Sequence, residues 1–343
     1  MPLKPSMKHV AKVANVSTMT VSLALRSHPS IPGKTRQRIA LIADKIGYRP
    51  NPLVSALMAD IKSKRSKPSS TVIAFINAHP PDAHWRNLSS LERLRNGLAI
   101  YAEKLGYSIS EFKLGDHGVS EKRLISILQS RGIRGVVFTP FPSSETRLKY
   151  DWSSFACAAI GYSLYYPHFH CAVNHQIHSV RLAFEELRNL GYKRIGFAIS
   201  STDDKRASHN WMSSFLLEKH NAFENKNELP LFLTQDWEQQ KFLTWFRANK
   251  PEAIVTTNSE LQELLLSGGI KTPDDIGIAF LHLFTEMKNC SGIDQNDERI
   301  AEAAFDLVIE QLYTNTLGPV TNPKIVLIEG KWINGKTALA TSH

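Results

Sequence analysis

Apolar positions recur along this chain in two rhythms, and the rhythm changes near Thr71. In the first stretch Met7, Val10, Ala11 and Ala14 fall at i, i+3, i+4 and i+7, which places them on one side of a short helix. Ser6 stands just ahead as its N-cap. Asn15-Val16-Ser17 breaks the pattern, because Asn tolerates the left-handed conformation of a tight turn and Ser17 can cap a second helix. That second helical run carries Val21, Ala24 and Leu25. A third (Ile39, Ile42, Ala43, Ile46) begins after Thr35 and stops at Gly47. Two short helices joined by a tight turn make a helix-turn-helix, whose second helix is the element that enters a major groove. Spacing alone fits a plain three-helix bundle equally well.

From Thr71 onward short apolar strands alternate with amphipathic helices. Strands are predicted at Val72–Ile76, Gly135–Thr139, near His170–Val173, and at Ile195–Ile199, Leu231–Leu233, Ala253–Thr256, Ile276–Phe280 and Ile325–Ile328. Helical stripes run from Leu91 to Leu105, Leu124 to Leu128, Val180 to Leu190, Trp211 to Lys219, Phe242 to Ala248 and Ile300 to Tyr313. This alternation argues for parallel sheets covered by helices on both faces. About 270 residues exceed what one such sheet needs, so two lobes with a cleft between them are expected. Ligands of such sheets sit at the carboxyl ends of the strands.

Charge separates the two stretches further. Residues 1–70 hold thirteen Lys and Arg against Asp44 and Asp60, a local net of +11, whereas the other 273 residues sum to −2. The overall +9 therefore belongs to the N-terminal fifth. A polyanion attracts such a segment through phosphate contacts and counterion release, which favours DNA binding over a plain bundle.

Three segments carry a resemblance. Met7-Lys-His-Val-Ala-Lys-Val-Ala-Asn-Val-Ser-Thr-Met-Thr-Val-Ser-Leu-Ala-Leu25, Thr35-Arg-Gln-Arg-Ile39 and Gly47-Tyr-Arg-Pro-Asn-Pro-Leu-Val-Ser-Ala-Leu57 are similar, in order, to the DNA-binding head of the LacI/GalR family of bacterial transcription regulators. The resemblance implies that Thr18, Met19 and Leu23 read base edges and that Ser6, Ser17, Thr20, Ser22 and Thr35 hold phosphates. Hydroxyl donors suit the latter role. Arg26 and Asn51 join the DNA-contacting set by the same resemblance. Leu23 stands where the family most often has Arg; it cannot fork onto guanine but can pack on a thymine methyl. Asn51-Pro52 reads as an N-cap and first helical residue, so a hinge helix is expected to about Ala59, with Leu57 matching the leucine that wedges into the minor groove. A helical spacer is the alternative for this segment.

The resemblance continues more weakly through Arg134-Gly-Val-Val-Phe-Thr-Pro140, Gly191-Tyr-Lys-Arg-Ile-Gly196 and Ile270-Lys-Thr-Pro-Asp-Asp-Ile-Gly-Ile278. It implies a two-lobed α/β effector domain like the periplasmic binding proteins, behind an all-α head. The expected domains are a head at 1–49, a hinge and linker at 50–70, and an effector-binding and dimerisation domain at 71–343. Within the last, an N-lobe is expected at about 71–166 and 294–324, and a C-lobe at about 167–293 and 325–343. Asn258 matches a sugar-binding Asn of the family, whereas His282 and His209 fall where the family has an acid and an arginine. Those two replacements would leave the pocket short of both groups. Phe75, Trp85, Tyr162 and Trp211 are candidates for a stacking face, although aromatics at such spacing are more often core.

Other chemistry finds little support. No Gly-x-Gly-x-x-Gly follows a strand, and Gly33-Lys34-Thr35 has the tail of a phosphate loop without its upstream glycine or strand. No nucleophile-elbow signature accompanies Ser, His and Asp, so catalysis is not expected. His168, His170, Cys171, His175 and His178 crowd within eleven residues, but the strand predicted there sends Cys171 to the opposite face from His168 and His170, which suits a metal site poorly. Cys157, Cys171 and Cys290 form no metal or disulfide pattern, in keeping with a reducing cytoplasm, and no apolar run is long enough to span a bilayer. No cofactor is expected. The expected partners are a double-stranded DNA operator bound by a homodimer and a small, sugar-like effector. An enzyme or solute-binding body joined to a DNA-binding head is the alternative.

Overall fold

The computed structural model describes residues 6–25, 31–48, 71–116, 118–224 and 229–341. They fall into a head and a body divided at Thr71. Arg26, Asn51 and Leu57, and with them the expected hinge helix, lie outside the described residues.

In the head, α1 (Met7–Ala14), α2 (Thr18–Leu25) and α3 (Gly33–Ile46) pack around Val10, Ala14, Val21 and Ile39, all fully buried. Local chemistry sets the boundaries. Ser6 Oγ accepts from the His9 N–H at 3.3 Å and caps α1. Asn15 then turns the chain in the left-handed region, at φ 49° and ψ 49°. Ser17 Oγ accepts from the Thr20 N–H at 3.0 Å to start α2. Gly47, at φ 71°, closes α3 at a conformation that costs glycine nothing. α3 begins two residues before Thr35 rather than after it. The Pro32 carbonyl accepts from the N–H groups of Thr35 (2.9 Å) and Arg36 (3.0 Å), so the first turn closes ahead of the apolar stripe.

The body contains β1 (Thr71–Asn77), α4 (Trp85–Lys104), β2 (Tyr107–Lys113), α5 (Glu121–Ser130), β3 (Gly135–Phe138), β4 (Thr146–Arg147), β5 (Ala156–Ile160), β6 (Leu164–Tyr166) and β7 (His170–Asn174). It continues through α6 (Gln176–Asn189), β8 (Ile195–Ser200), α7 (Ser201–Arg206), α8 (Asn210–Glu224), β9 (Leu231–Thr234), α9 (Gln239–Asn249), β10 (Ala253–Thr256) and α10 (Leu261–Ser267). It closes with β11 (Gly277–Phe280), β12 (Ser291–Asp294), α11 (Asp297–Thr314), β13 (Ile325–Ile328) and β14 (Lys331–Ile333).

Two six-stranded sheets result. The first has the order β13-β7-β5-β3-β1-β2 and the second β14-β12-β11-β10-β8-β9. Neighbours are parallel throughout, except that β14 runs antiparallel to β12. Central strands β3, β5, β8, β10 and β11 are buried at every position, because helices cover both faces of a parallel sheet. In the first lobe Phe138 stacks on Phe169 and meets Trp152 edge-on. In the second, Phe197 stacks on Phe215 with ring centroids 4.7 Å apart.

The sheet order corrects the expected lobe boundaries. The expected C-lobe takes in residues 170–174 and 325–328, yet β7 and β13 pair with each other and complete the first sheet. The chain changes lobe after these strands, between β7 and α6 and between β13 and β14, and again between β12 and α11. An apolar tetrapeptide such as Ile325-Val-Leu-Ile328 carries no mark of which sheet it will join. The short helices α7 and α10 leave no long stripe in the sequence and are additions to the predicted elements.

One glycine bears directly on the site. A Cβ on Gly97 of α4 would stand 2.6 Å from the Cα of Glu298, so the missing side chain lets α4 lie against the first turn of α11.

Candidate functional site

The head presents the first turn of α2. Thr18 and Met19 are exposed (Met19 58 %), while Val21 and Ala24 of the same helix face the core. Ser17 is exposed, and its hydroxyl bonds the Thr20 hydroxyl at 2.9 Å, so both are oriented. Ser22, Leu23 and Thr35 are half-buried, the last within the first turn of α3. A helix whose N-terminal turn faces outward with hydroxyl and thioether side chains is suited to base edges and phosphates.

In the body, a cleft of about 200 Å³ opens between the carboxyl ends of the two sheets. From the first lobe come His79 on the loop after β1, Asn87, Ser90, Leu91 and Leu94 of α4, and Ile160, Tyr162 and Ser163 around the end of β5. The second lobe gives Asp203, Arg206 and Ala207 at α7, Trp211 of α8, Thr257 after β10, and His282 and Phe284 after β11. Asn174, Gln176, Gln295 and Asp297 stand where the chain crosses between lobes.

Asp297, the first residue of α11, is nearly fully buried. Its Oδ2 accepts from Ser90 Oγ at 3.3 Å and from His282 Nε2 at 3.2 Å. The His282 ring in turn lies against Phe284, centroids 4.2 Å apart. Asp203 Oδ2 accepts from Thr257 Oγ1 at 2.9 Å. His79 is buried and bonds the Pro140 carbonyl at 2.9 Å through Nε2. Burial and the nearby charge of Arg206 both lower its pKa, and the bond to Pro140 only partly offsets them.

Behind Asp297 a forked arginine joins the lobes. Arg93 of α4 gives Nε and Nη2 to the Glu298 carboxylate (2.9 and 2.7 Å), Nη2 to Asp294 Oδ1 (2.9 Å) and Nη1 to the Leu283 carbonyl (3.3 Å). Asp297 Oδ2 is 3.8 Å from its Nη1. Burial opposes the charged guanidinium, yet the bonds to Glu298 and Asp294 and the field of Asp297 outweigh it, and the group holds its proton more tightly than in water.

Of the three residues expected to hold an effector, His282 lines the cleft and the other two do not. His209 is turned outward at φ 61°, with Nδ1 on Asp204 Oδ2 at 2.8 Å, and its side chain is mostly exposed. Asn258 spends its Oδ1 on the Glu260 N–H at 3.0 Å and shapes the loop after β10. The expectation that the cleft lacks both an acid and a guanidinium is also corrected. Arg206 stands three residues before His209, and Asp203 and Asp297 supply carboxylates from other positions. Arg206 is the last residue of α7 and His209 lies in the left-handed turn beyond it, and a six-residue helix leaves little periodic signal of where it ends. Among the aromatic candidates Tyr162 and Trp211 line the cleft, Phe75 is core, and the side chain of Trp85 lies outside the described set.

The histidine-rich stretch is dispersed. His170 Nδ1 accepts from the Lys324 N–H at 2.8 Å, His175 stacks on His178, and His168 meets Tyr166 edge-on. Among the described residues no three His, Cys, Asp or Glu side chains group as metal ligands. Burial raises the thiol pKa at all three cysteines, that of Cys171 to about 11. No helix among the described residues is long and apolar enough to cross a membrane.

Comparison with known proteins agrees with this arrangement. Residues 6–51 match the family described as bacterial regulatory proteins, lacI family. Catabolite control protein B of Bacillus subtilis (strain 168) is 24 % identical over 226 residues, which cover 63 % of this chain and 67 % of that protein. The fold is similar to that of the lac repressor dimer bound to operator and the anti-inducer ONPF, with a TM-score of 0.57 at 16 % identity over 99 % of this chain and all of that one. It is also similar to the transcriptional regulator CelR in its cellobiose complex (0.56, 14 %, covering 97 % and 99 %). A periplasmic binding protein/LacI transcriptional regulator from Alkaliphilus metalliredigens QYMF complexed with D-xylulofuranose matches 79 % of this chain and all of its own (0.57, 16 %).

Proposed function

This chain belongs to the lacI family of bacterial regulatory proteins, and we propose that it is a repressor that grips a pseudo-palindromic operator as a homodimer and is switched by a sugar-like effector. The outward-facing first turn of α2 is the observation that carries the DNA-binding part. Thr18, Met19 and Leu23 read base edges there, Leu23 by apolar contact, while the hydroxyls of Ser6, Ser17, Thr20, Ser22 and Thr35 hold phosphates.

The cleft supports the effector part. Carboxylates at Asp203 and Asp297 accept from hydroxyls, Arg206 and His282 add polar partners, and Trp211 and Tyr162 offer faces to an apolar sugar ring. Two proteins of similar fold form complexes with cellobiose and with D-xylulofuranose, which fits such a ligand. The effector and the operator then change each other's affinity by one shared factor. Sequencing genomic DNA retained by the purified protein should return one recurrent inverted repeat. Adding a panel of pentoses and hexoses should identify one that changes its retention. Retention without sequence preference would overturn the repressor reading.

A further inference from the structure

The two lobes touch on opposite sides of the cleft in unlike ways. On one side stand the crossings, fed by β7 and β13 of the first sheet and β12 and β14 of the second. Arg93 belongs to that side, because its partners Asp294 and Glu298 flank the crossing at 295–296. It is three-quarters or more buried and makes four bonds. On the other side β1 lies three strands from β7, and β10 two strands from β12. Strands are spaced by about 4.8 Å, so the loops that follow β1 and β10 face each other well away from the crossings.

Among the described residues, a pair of side chains joins those loops. His84 Nε2 donates to Glu260 Oε1 at 2.7 Å, with 40 % and 54 % of the two side chains exposed. Each partner is held by its own backbone. The His84 carbonyl accepts from the N–H groups of Asn87 (2.9 Å) and Leu88 (3.4 Å), which fixes it at the start of α4. The Glu260 N–H is tied to Asn258 Oδ1. Farther in, His79 and Thr257 of the same two loops line the cavity.

We propose that the His84–Glu260 pair is the latch of the cleft mouth, released to admit ligand while the Arg93 cluster remains intact as the pivot. The proposal rests on reading the cleft as the effector site. A buried fork with several acceptors is costly to break, whereas an exposed pair contributes little and exchanges readily with water. Opening therefore proceeds at the latch. Asn258 acquires a positioning role as the cap that holds the Glu260 loop.

The test measures lobe separation in the full-length protein without ligand, so its outcome is independent of whether the effector is a sugar. Spin labels at exposed sites of the two lobes, introduced as Glu103→Cys and Lys219→Cys with Cys290→Ser, report the distance distribution. His84→Ala and Glu260→Ala should each raise the long-distance population several-fold, and His84→Glu should raise it further. The exchanged pair His84→Glu with Glu260→Lys should return it to the starting value. All four substitutions are at exposed positions, and circular dichroism verifies their folding. An unchanged distribution in both alanine variants, or no recovery in the exchanged pair, would overturn the latch. So would opening caused by Arg93→Gln but not by Glu260→Ala, since closure would then reside in the pivot.

Discussion

Head and body place their candidate sites on opposite kinds of surface. The head offers a convex turn whose key side chains point to solvent, with Met19 more than half exposed and the core confined to the far side of the same helix. The body offers a concavity in which polar groups already engage one another, Asp297 with Ser90 and His282, Asp203 with Thr257, His79 with Pro140. Function in the head is thus nearly separable from stability. In the body the residues that line the cleft are tied to one another, and one of those bonds, His282 to Asp297, also joins the lobes.

Substitution at Arg93 should break that contrast most forcefully. Arg93→Gln strands Asp294 and Glu298 beside a half-satisfied carbonyl; with the Glu298 side chain 45 % exposed the cluster is partly screened, and the expected loss is about 1–3 kcal/mol, below that of a fully buried pair. Urea unfolding of the body should register it, and a loss below about 1 kcal/mol would mean that the cluster is hydrated.

Next comes Gly97→Ala, where the new methyl meets the Glu298 backbone and forces α4 and α11 apart. Overpacking of this kind costs about 1–3 kcal/mol. It should also disturb the Arg93 fork one helical turn away, which a broadened Trp and Tyr near-ultraviolet spectrum would reveal.

Acid should act in the same place. Burial works against ionised Asp294, but the bond from Arg93, the Asn296 N–H and the charges of Arg93 and Lys331 outweigh it, and its pKa lies below the usual carboxylate value. The unfolded chain then binds this proton more readily, so the contribution is complete above the unfolded carboxylate range and is lost as pH falls through the lower folded value. His79 works in the same direction at a higher range. Its folded pKa is depressed, so stability falls as pH drops below about 6.5 and the unfolded imidazole takes up protons. Thermal unfolding followed from pH 8 to 3 should decline in two stages, and His79→Gln should remove the upper one.

The smallest effect on stability is expected in the head. Met19→Ala should change unfolding by less than about 0.5 kcal/mol, as exposed substitutions do. Leu23→Arg should shift the preferred operator toward guanine by about 1–3 kcal/mol in binding assays, the worth of one bidentate contact. If Met19→Ala instead unfolds the head, function and stability are entangled there as well.

The same contrast separates what is legible in the sequence from what is not. The head is written in local chemistry: Ser6, Asn15, Ser17 and Gly47 act within a few residues of themselves, and spacing reveals them. The alternation of strands and helices in the body is equally visible. The cleft is not, because its contacts join residues such as Arg93 and Glu298 that lie 205 apart in the chain. His282 falls inside it, whereas His209 and Asn258 do not: α7 ends at Arg206, which lines the cleft, the chain turns His209 outward at φ 61°, and Asn258 bonds within its own loop.

The three passages of the chain between lobes have a mechanical meaning. Two bodies tied by a single strand can bend, twist and slide independently. Ties at three separate points, after β7, β12 and β13, suppress twist and translation and leave essentially one coordinate, rotation about the line through the ties. Anything that changes the angle on the cavity side must then appear, in fixed proportion, at every other point of both lobes. Such a joint transmits by geometry rather than by a chain of contacts, so its output tolerates change in most of the side chains between.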